Sequence, residues 1–170
     1  MLNEQDAKRL IEILKNVDYS SNFKVWNSPL SLLFYQSKGI DSSELKDSFY
    51  EDLLDKGVLI QEKGMVYASV RVVCFEKFFF MVDSPHIAST GGINHFHSNK
   101  DGMYGFVGDD GLMLLNYIVK GMKTDRYQKG LDIGTGSGLI GISLSPWFDS
   151  ILGVDIMAPA ITWAQLNKKI

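Results

Sequence analysis

The arrangement of apolar and polar residues in the first part of the chain predicts three short helices. Between residues 6 and 17 the apolar side chains recur every three or four positions, as on one face of an amphipathic helix. A second helix is predicted after Ser28, which can cap it and is followed by a proline. A third is predicted from Asp41 or Ser42, and Gly57 is expected to end it.

A β-hairpin is predicted next. Val58–Ile60 is apolar, residues 62–64 form a polar turn, and Met65–Phe75 alternates between apolar and polar side chains. Phe78–Val82 is a continuous apolar run, which is typical of a buried strand. Because three short helices followed by a hairpin have the order of a winged-helix domain, we predict an α+β, winged-helix-like domain over residues 1–82.

The second part of the chain alternates between strand and helix patterns. Residues 83–103 are rich in Ser, Gly, Asn and His and are interpreted as a loop or a junction between domains. A helix is predicted over residues 109–122. Two strand–helix pairs follow, namely Lys129–Ile133 with 138–145, and Ile151–Ile156 with Ala158–Lys169. This β-α-β-α order predicts the start of a parallel sheet and places the chain in the α/β class.

Composition and charge narrow the class of protein. The chain has 170 residues, of which 45% are hydrophobic, so it can build a packed core. Residues 1–60 contain seven Lys or Arg against ten Asp or Glu, so the N-terminal domain lacks the basic character that is typical of nucleic-acid binders. No apolar stretch approaches the roughly 20 residues of a membrane span. With the single cysteine, Cys74, this pattern favours a cytoplasmic protein.

Residues 131–138 carry the most informative motif of the chain. A predicted strand ends in the acid Asp132, and glycines follow at every second position from Gly134 to Gly138. Glycine is needed where the backbone takes a positive φ or where a ligand approaches it closely. Asp155 stands 21 residues after Gly134, at the end of the next predicted strand, where a carboxylate can accept both hydroxyls of a ribose. Together these features predict a site for a nucleotide-like cofactor.

The same segment also contains the dinucleotide-binding fingerprint G-x-G-x-x-G, from Gly136 to Gly141. That fingerprint follows directly on the hydrophobic residues of a strand, whereas Asp132, Gly134 and Thr135 occupy those positions here. The frame that begins at Gly134 therefore fits better. The G-x-G-x-x-G frame leaves a nicotinamide-dependent oxidoreductase as an alternative function.

The motif and its surroundings resemble a known family. Leu131–Gly138 is similar to the first motif of class I methyltransferases that use S-adenosylmethionine (SAM), and Val154–Ile156 is similar to their second. The helix that follows resembles the methyltransferase small domain group, which includes release-factor glutamine methyltransferases and enzymes that methylate guanine or adenine in RNA. Over residues 104–170 the resemblance implies a Rossmann-like core. The SAM-binding residues that it implies are Asp132, Gly134, Thr135, Gly136, Gly138, Asp155 and Ile156.

The resemblance also implies a reaction and a role for several residues. Asp132 would face the methionine part of SAM, Asp155 would hold the ribose, and Ile156 would pack on the adenine. The methyl acceptor would be a nitrogen of a nucleobase in RNA or DNA, or of a protein side-chain amide. An alternative from another class is a non-catalytic interaction module whose acidic N-terminal domain docks a protein partner.

The acceptor-binding motif of that family is missing from the chain. Its members carry Asn, Asp or Ser followed by Pro-Pro-Tyr/Phe, whereas Ser84–His86 and Ser145–Trp147 lack the second proline. We therefore expect the N-terminal part of a longer enzyme, without catalytic residues of its own, inactive alone and prone to self-association through uncovered strands. The apolar residues that we expect to be exposed are Ile133, Ile140, Leu144, Val154 and Ile156.

Histidine and cysteine residues suggest no further site. His86, His95 and His97 lie in the predicted loop, with too few other ligands nearby to favour a metal site. Cys74 lies in an apolar strand without an activating partner, so a buried, inert thiol is expected.

Overall fold

Helices and strands are mixed along the chain, which confirms the coarse α/β class. The computed structural model describes residues 3–16, 28–84, 107–123 and 126–170. The chain divides into two compact units, Met1–Val73 with Asp83–Met103, and Cys74–Val82 with Tyr104–Ile170. The strand predicted at Phe78–Val82 is therefore grouped with the C-terminal part of the chain, whereas the sequence pattern assigned it to the N-terminal domain.

The first helix of the N-terminal unit, α1, spans Glu4–Asn16 and confirms the predicted amphipathic segment. It buries one apolar face, consisting of Ala7, Leu10, Ile11 and Leu14. The second predicted helix forms as a π-helical turn at Ser31–Tyr35, and the Ser28 hydroxyl accepts a hydrogen bond from the Ser31 N–H at 3.1 Å. The predicted cap at Ser28 is thereby confirmed.

The start predicted for the third helix is wrong. Asp41 caps only a short 3-10 turn, Ser42–Glu44, and Leu45 then leaves the helical conformation. The helix α2 spans Ser48–Asp55, and Asp47 caps it by accepting a hydrogen bond from a backbone N–H. Because both aspartates are good caps, the spacing of apolar residues alone did not distinguish them.

A three-stranded antiparallel sheet follows, in the order β1-β3-β2. Its strands are β1 (Ile40–Asp41), β2 (Leu59–Glu62) and β3 (Met65–Ala68). The hairpin is confirmed, but the strand predicted over Met65–Phe75 is broken at Ser69. Both the N–H and the hydroxyl of Ser69 donate to the Val58 carbonyl, at 2.8 and 3.0 Å, and this ends the ladder. The remainder is β4 (Val70–Phe75), which forms a two-stranded sheet with β5 (Phe78–Asp83).

The C-terminal unit has the predicted alternation of helices and strands. Its elements after β5 are α3 (Asp109–Gly121), β6 (Tyr127–Ile133), α4 (Leu139–Leu144), β7 (Phe148–Val154) and α5 (Ala158–Asn167). β6 and β7 pair in parallel, with Leu131 opposite Leu152 and Ile133 opposite Val154. None of the helices in the described ranges is long and apolar enough to cross a bilayer.

One face of this parallel sheet is covered by a helix and the other is exposed. On one face α4 lies against the strands, because the Gly141 N–H donates to the Asp132 carboxylate at 3.0 Å. The other face carries two exposed cross-strand pairs, Leu131 (61% exposed) with Leu152 (63%), and Ile133 (78%) with Val154 (38%).

The apolar exposure expected from the sequence is thus partly confirmed. Ile133 and Val154 are exposed on the uncovered face, and Ile156 is exposed just beyond β7. The expectation is wrong for Leu144, which α4 buries, and Ile140 is half-buried.

An ion pair links α1 to the end of α2 in the N-terminal unit. Lys56 Nζ lies 2.8 Å from Asp6 Oδ1, and this hydrogen bond is the main cause that lowers the pKa of the Asp6 carboxyl below its ordinary value. A carboxyl whose pKa is lower in the folded state stabilises the fold above its unfolded pKa. That stabilisation is lost as the pH falls through the folded pKa.

We expect Asp6→Asn to lower the melting temperature at neutral pH, because the variant loses this ion pair. The difference from the unsubstituted protein should shrink as the pH falls below about 4. Thermal unfolding followed by circular dichroism between acid and neutral pH measures both effects. Glu12→Gln, at an exposed position of the same helix, is the control. If the difference in melting temperature between Asp6→Asn and the unsubstituted protein stayed constant down to acid pH, the stabilising role of the Asp6–Lys56 pair would be contradicted.

Candidate functional site

The candidate site lies in the C-terminal unit, in the loop that joins β6 to α4. Three of its glycines have a positive φ, namely Gly134 (72°), Gly136 (54°) and Gly138 (85°). Residues with a Cβ rarely adopt this conformation, so the alternating glycines of the sequence are needed for the path of the backbone.

Backbone hydrogen bonds anchor this loop to the neighbouring strand. The N–H groups of Gly134 and Thr135 both donate to the Val154 carbonyl, at 2.8 and 3.0 Å. The Gly138 N–H donates to the Thr135 carbonyl at 2.8 Å and closes a tight turn. The loop is therefore fixed to the end of β7 by the protein's own groups.

Asp132, the next-to-last residue of β6, holds the loop through hydrogen bonds to its carboxylate. Its Oδ2 accepts hydrogen bonds from the Thr135 hydroxyl at 2.7 Å and from the Gly141 N–H at 3.0 Å. Its Oδ1 has no hydrogen-bond partner among the described residues. One carboxylate oxygen is thus structural, and the other retains its capacity to accept from a ligand.

Asp155 follows β7 directly and reaches back to the same loop. Its Oδ2 accepts from the Gly136 N–H and its Oδ1 accepts from the Met157 N–H, both at 2.9 Å. Each oxygen of a carboxylate can accept two hydrogen bonds, so each retains one acceptor position. The next side chain, Ile156, is 96% exposed. An acid with spare acceptor capacity therefore lies beside an exposed apolar side chain.

The three glycines of the loop differ in the space around them. A Cβ on Gly134 would meet no atom within 4 Å, and one on Gly136 only a backbone oxygen at 4.0 Å. A Cβ on Gly138 would lie 2.7 Å from Ile142 Cδ1 and 3.3 Å from Ala164 Cβ. Gly134 and Gly136 therefore leave space that a ligand can use, whereas Gly138 allows α4 and α5 to pack closely.

The structure brings together all the predicted site residues, namely Asp132, Gly134, Thr135, Gly136, Gly138, Asp155 and Ile156. It adds residues that the sequence did not suggest. Gly153 in β7 makes room for Thr135, whose hydroxyl would lie 2.8 Å from a Cβ there. The Asn167 side chain donates to the Ser137 carbonyl at 2.9 Å. The sequence contains no direct signal of this contact, because the burial of Asn167 is a property of the folded chain.

The other candidate residues of the sequence are three histidines and one cysteine. His86, His95 and His97 lie outside the described residues. Within the part of the chain that the structure describes, no group of three or more His, Cys, Asp or Glu side chains could hold a metal ion. Cys74 is buried, and its Sγ donates to the Glu76 carbonyl at 3.4 Å, which is consistent with a structural thiol.

Comparisons with known proteins do not assign the chain to a family. No family model matches it, and a search of curated proteins finds no significant match.

The space around Gly136 and Gly138 differs, so alanine should destabilise the protein to different degrees at these two positions. We expect Gly136→Ala to cost about 1 kcal/mol of unfolding free energy, because alanine is strained at positive φ. Gly138→Ala should cost a further amount of about 1–3 kcal/mol, since its Cβ would overlap Ile142 Cδ1 and lie in tight contact with Ala164. Urea unfolding of the two variants measures the difference. Equal losses would show that the space around Gly138 is not filled as described.

Proposed function

We propose that the loop between β6 and α4 binds SAM and that the protein is a SAM-dependent methyltransferase. The observation that carries the proposal is the position of Asp155. Its carboxylate lies directly after β7. It accepts a hydrogen bond at 2.9 Å from the Gly136 N–H, in the glycine loop that follows β6. Ligands of open parallel sheets bind beyond the carboxyl ends of the strands, where these groups lie.

Three groups of the chain fit the parts of SAM. The Asp132 Oδ1 atom has no partner among the described residues and suits the positively charged amino group of the methionine part. Asp155 has one spare acceptor position on each oxygen for the ribose hydroxyls. The exposed Ile156 offers an apolar surface to the adenine ring.

SAM supplies an electrophilic methyl group, so the protein's task is to hold donor and acceptor in line. The loop and its two acids are hydrogen-bonded within the protein, which favours a fixed position for the donor. The proposed acceptor is a nitrogen of a nucleobase in RNA or DNA, or of a protein side-chain amide. This part of the proposal rests only on the resemblance of residues 104–170 to methyltransferases.

The space around the glycines favours SAM over a dinucleotide. In the fingerprint G-x-G-x-x-G the second glycine allows the backbone to approach a pyrophosphate. That glycine would be Gly138, whose Cβ direction is occupied by Ile142 and Ala164. The glycines with open space are Gly134 and Gly136, which belong to the methyltransferase frame.

The N-terminal unit is proposed to be a winged-helix-like domain. It contains α1, a π-helical turn and α2, followed by the β2–β3 hairpin, and β1 adds a third strand beside β3. Its surplus of acidic residues favours a protein partner over a nucleic acid as its ligand. If the chain is instead a non-catalytic interaction module, the docking of a protein partner by this domain would be its only function.

The cofactor assignment predicts that Asp155→Asn weakens binding of S-adenosylhomocysteine. The change removes a charge-assisted hydrogen bond to the ribose, so we expect a loss of about tenfold to a hundredfold in affinity. Isothermal titration calorimetry measures it. Asp149→Asn is the matched control, because Asp149 lies near the opposite end of β7 and pairs with Arg126 at 2.6 Å.

Two outcomes would contradict the assignment. Undiminished binding by Asp155→Asn would exclude the ribose contact. A shift in NADH fluorescence that S-adenosylhomocysteine does not compete away would favour the oxidoreductase alternative.

Self-association through the uncovered sheet face is a further prediction. Leu131, Leu152, Ile133 and Val154 form a contiguous apolar face, and such faces mark interaction surfaces. We expect the sedimentation coefficient to rise with concentration, and Leu152→Lys to suppress the rise. Met113→Lys, at an exposed position of α3, adds the same charge elsewhere and should leave it unchanged. A monomer at all concentrations would contradict the prediction.

A further inference from the structure

A buried asparagine joins three segments of the C-terminal unit. Asn167, the last residue of α5, is only 4% exposed. Its Oδ1 accepts from the Met81 N–H at 2.8 Å, and its Nδ2 donates to the carbonyls of Met81 and Ser137, both at 2.9 Å. The side chain thus connects α5 to β5 and to the glycine loop.

Only one orientation of this amide satisfies all three contacts. The Met81 N–H needs an acceptor, and the two carbonyls need two donors, which is the full donor capacity of an asparagine NH₂ group. Towards Met81 the amide acts as a neighbouring strand would, since it pairs with both the N–H and the C=O of one residue. An aspartate would have the same shape but no N–H to donate.

The contact to Ser137 fixes one peptide group of the loop. The Ser137 carbonyl is held by Asn167, and the Gly138 N–H of the same peptide is held by the Thr135 carbonyl at 2.8 Å. A peptide that is bonded at both its polar groups cannot rotate without breaking two hydrogen bonds. Its orientation sets the direction of the backbone on either side, including Gly136 and the bond from Gly136 to Asp155.

We propose that Asn167 is a positioning residue, which keeps the glycine loop in the conformation that binds the cofactor. Asn167 acts through Ser137 and is not expected to touch the ligand. The effect on cofactor affinity rests on the proposed function, whereas the effect on loop conformation does not depend on it.

Two substitutions distinguish hydrogen bonding from simple packing. Asn167→Ala removes the amide and leaves room for water, while Asn167→Asp keeps the shape and turns an anionic oxygen towards two carbonyls. If Asn167 acts through its donated hydrogen bonds, affinity for S-adenosylhomocysteine should fall in the order wild type, Ala, Asp. We expect a loss of about tenfold or more for Asn167→Asp. If Asn167 only fills space, the isosteric Asp variant should instead be the milder one.

Two control variants separate this role from general effects on the unit. Asn116→Asp adds the same charge at an exposed site on α3, where its Nδ2 donates to the Leu112 carbonyl. Leu115→Ala removes a fully buried side chain from α3 of the same unit and should lower the stability of the unit. Both controls should retain affinity within about twofold of wild type.

The glycine amide resonances in ¹H–¹⁵N spectra provide a readout that needs no cofactor. We expect the Gly136 and Gly138 signals to shift in Asn167→Ala and Asn167→Asp but not in Leu115→Ala. If wild type failed to bind S-adenosylhomocysteine, the proposed function would fall, and the spectra would still decide the role of Asn167. Unshifted glycine signals, an Asp variant milder than Ala, or equal losses of affinity in Leu115→Ala would each overturn the proposal.

Discussion

Parallel pairing between β6 and β7 is the constraint on which the candidate site depends. Parallel strands end at the same edge of a sheet, so the pairing of Ile133 with Val154 brings Asp132 and Asp155 to that edge. The Val154 carbonyl, which has no further residue of β6 to pair with, accepts two N–H groups from the loop. The turn of the loop is therefore an extension of the ladder. Loss of the parallel register would separate Asp155 from the glycines, whereas Asp132 lies on the strand that leads into them.

The elements of the C-terminal unit were predictable because their signals are local. The apolar residues at the carboxyl ends of β6 and β7 and the helical spacing in α3 can be recognised without knowing what they contact. The errors had two causes. Asp41 and Asp47 both cap locally and have equal capping ability, so the pattern did not distinguish them. The break at Ser69 depends on the Val58 carbonyl, which is distant along the chain. The alternating pattern continues through Ser69, so the sequence alone gave no sign of the break.

The same distinction holds within the site. Both acids and the glycines were predictable because motif spacing and positive φ are properties of a short segment. The sequence did not show that Gly138 differs in role from Gly134 and Gly136, since the difference comes from Ile142 and Ala164. Nor did it show that Asn167 pairs with a residue 86 positions away. A pattern can indicate which residues meet a ligand, but it does not reveal which residues support them.

The filled space at Gly138 also constrains how this part of the molecule can change. The Gly138 hydrogen that stands where other residues have a Cβ shares one small volume with the side chains of Ile142 and Ala164. This volume lies between two helices and a loop. A methyl group added at position 138 must displace the Ile142 Cδ1 atom and press against Ala164, and the backbone would still be strained. Substitutions at these three positions are therefore energetically coupled and not additive. In homologous chains they should vary together, as residues in spatial contact do.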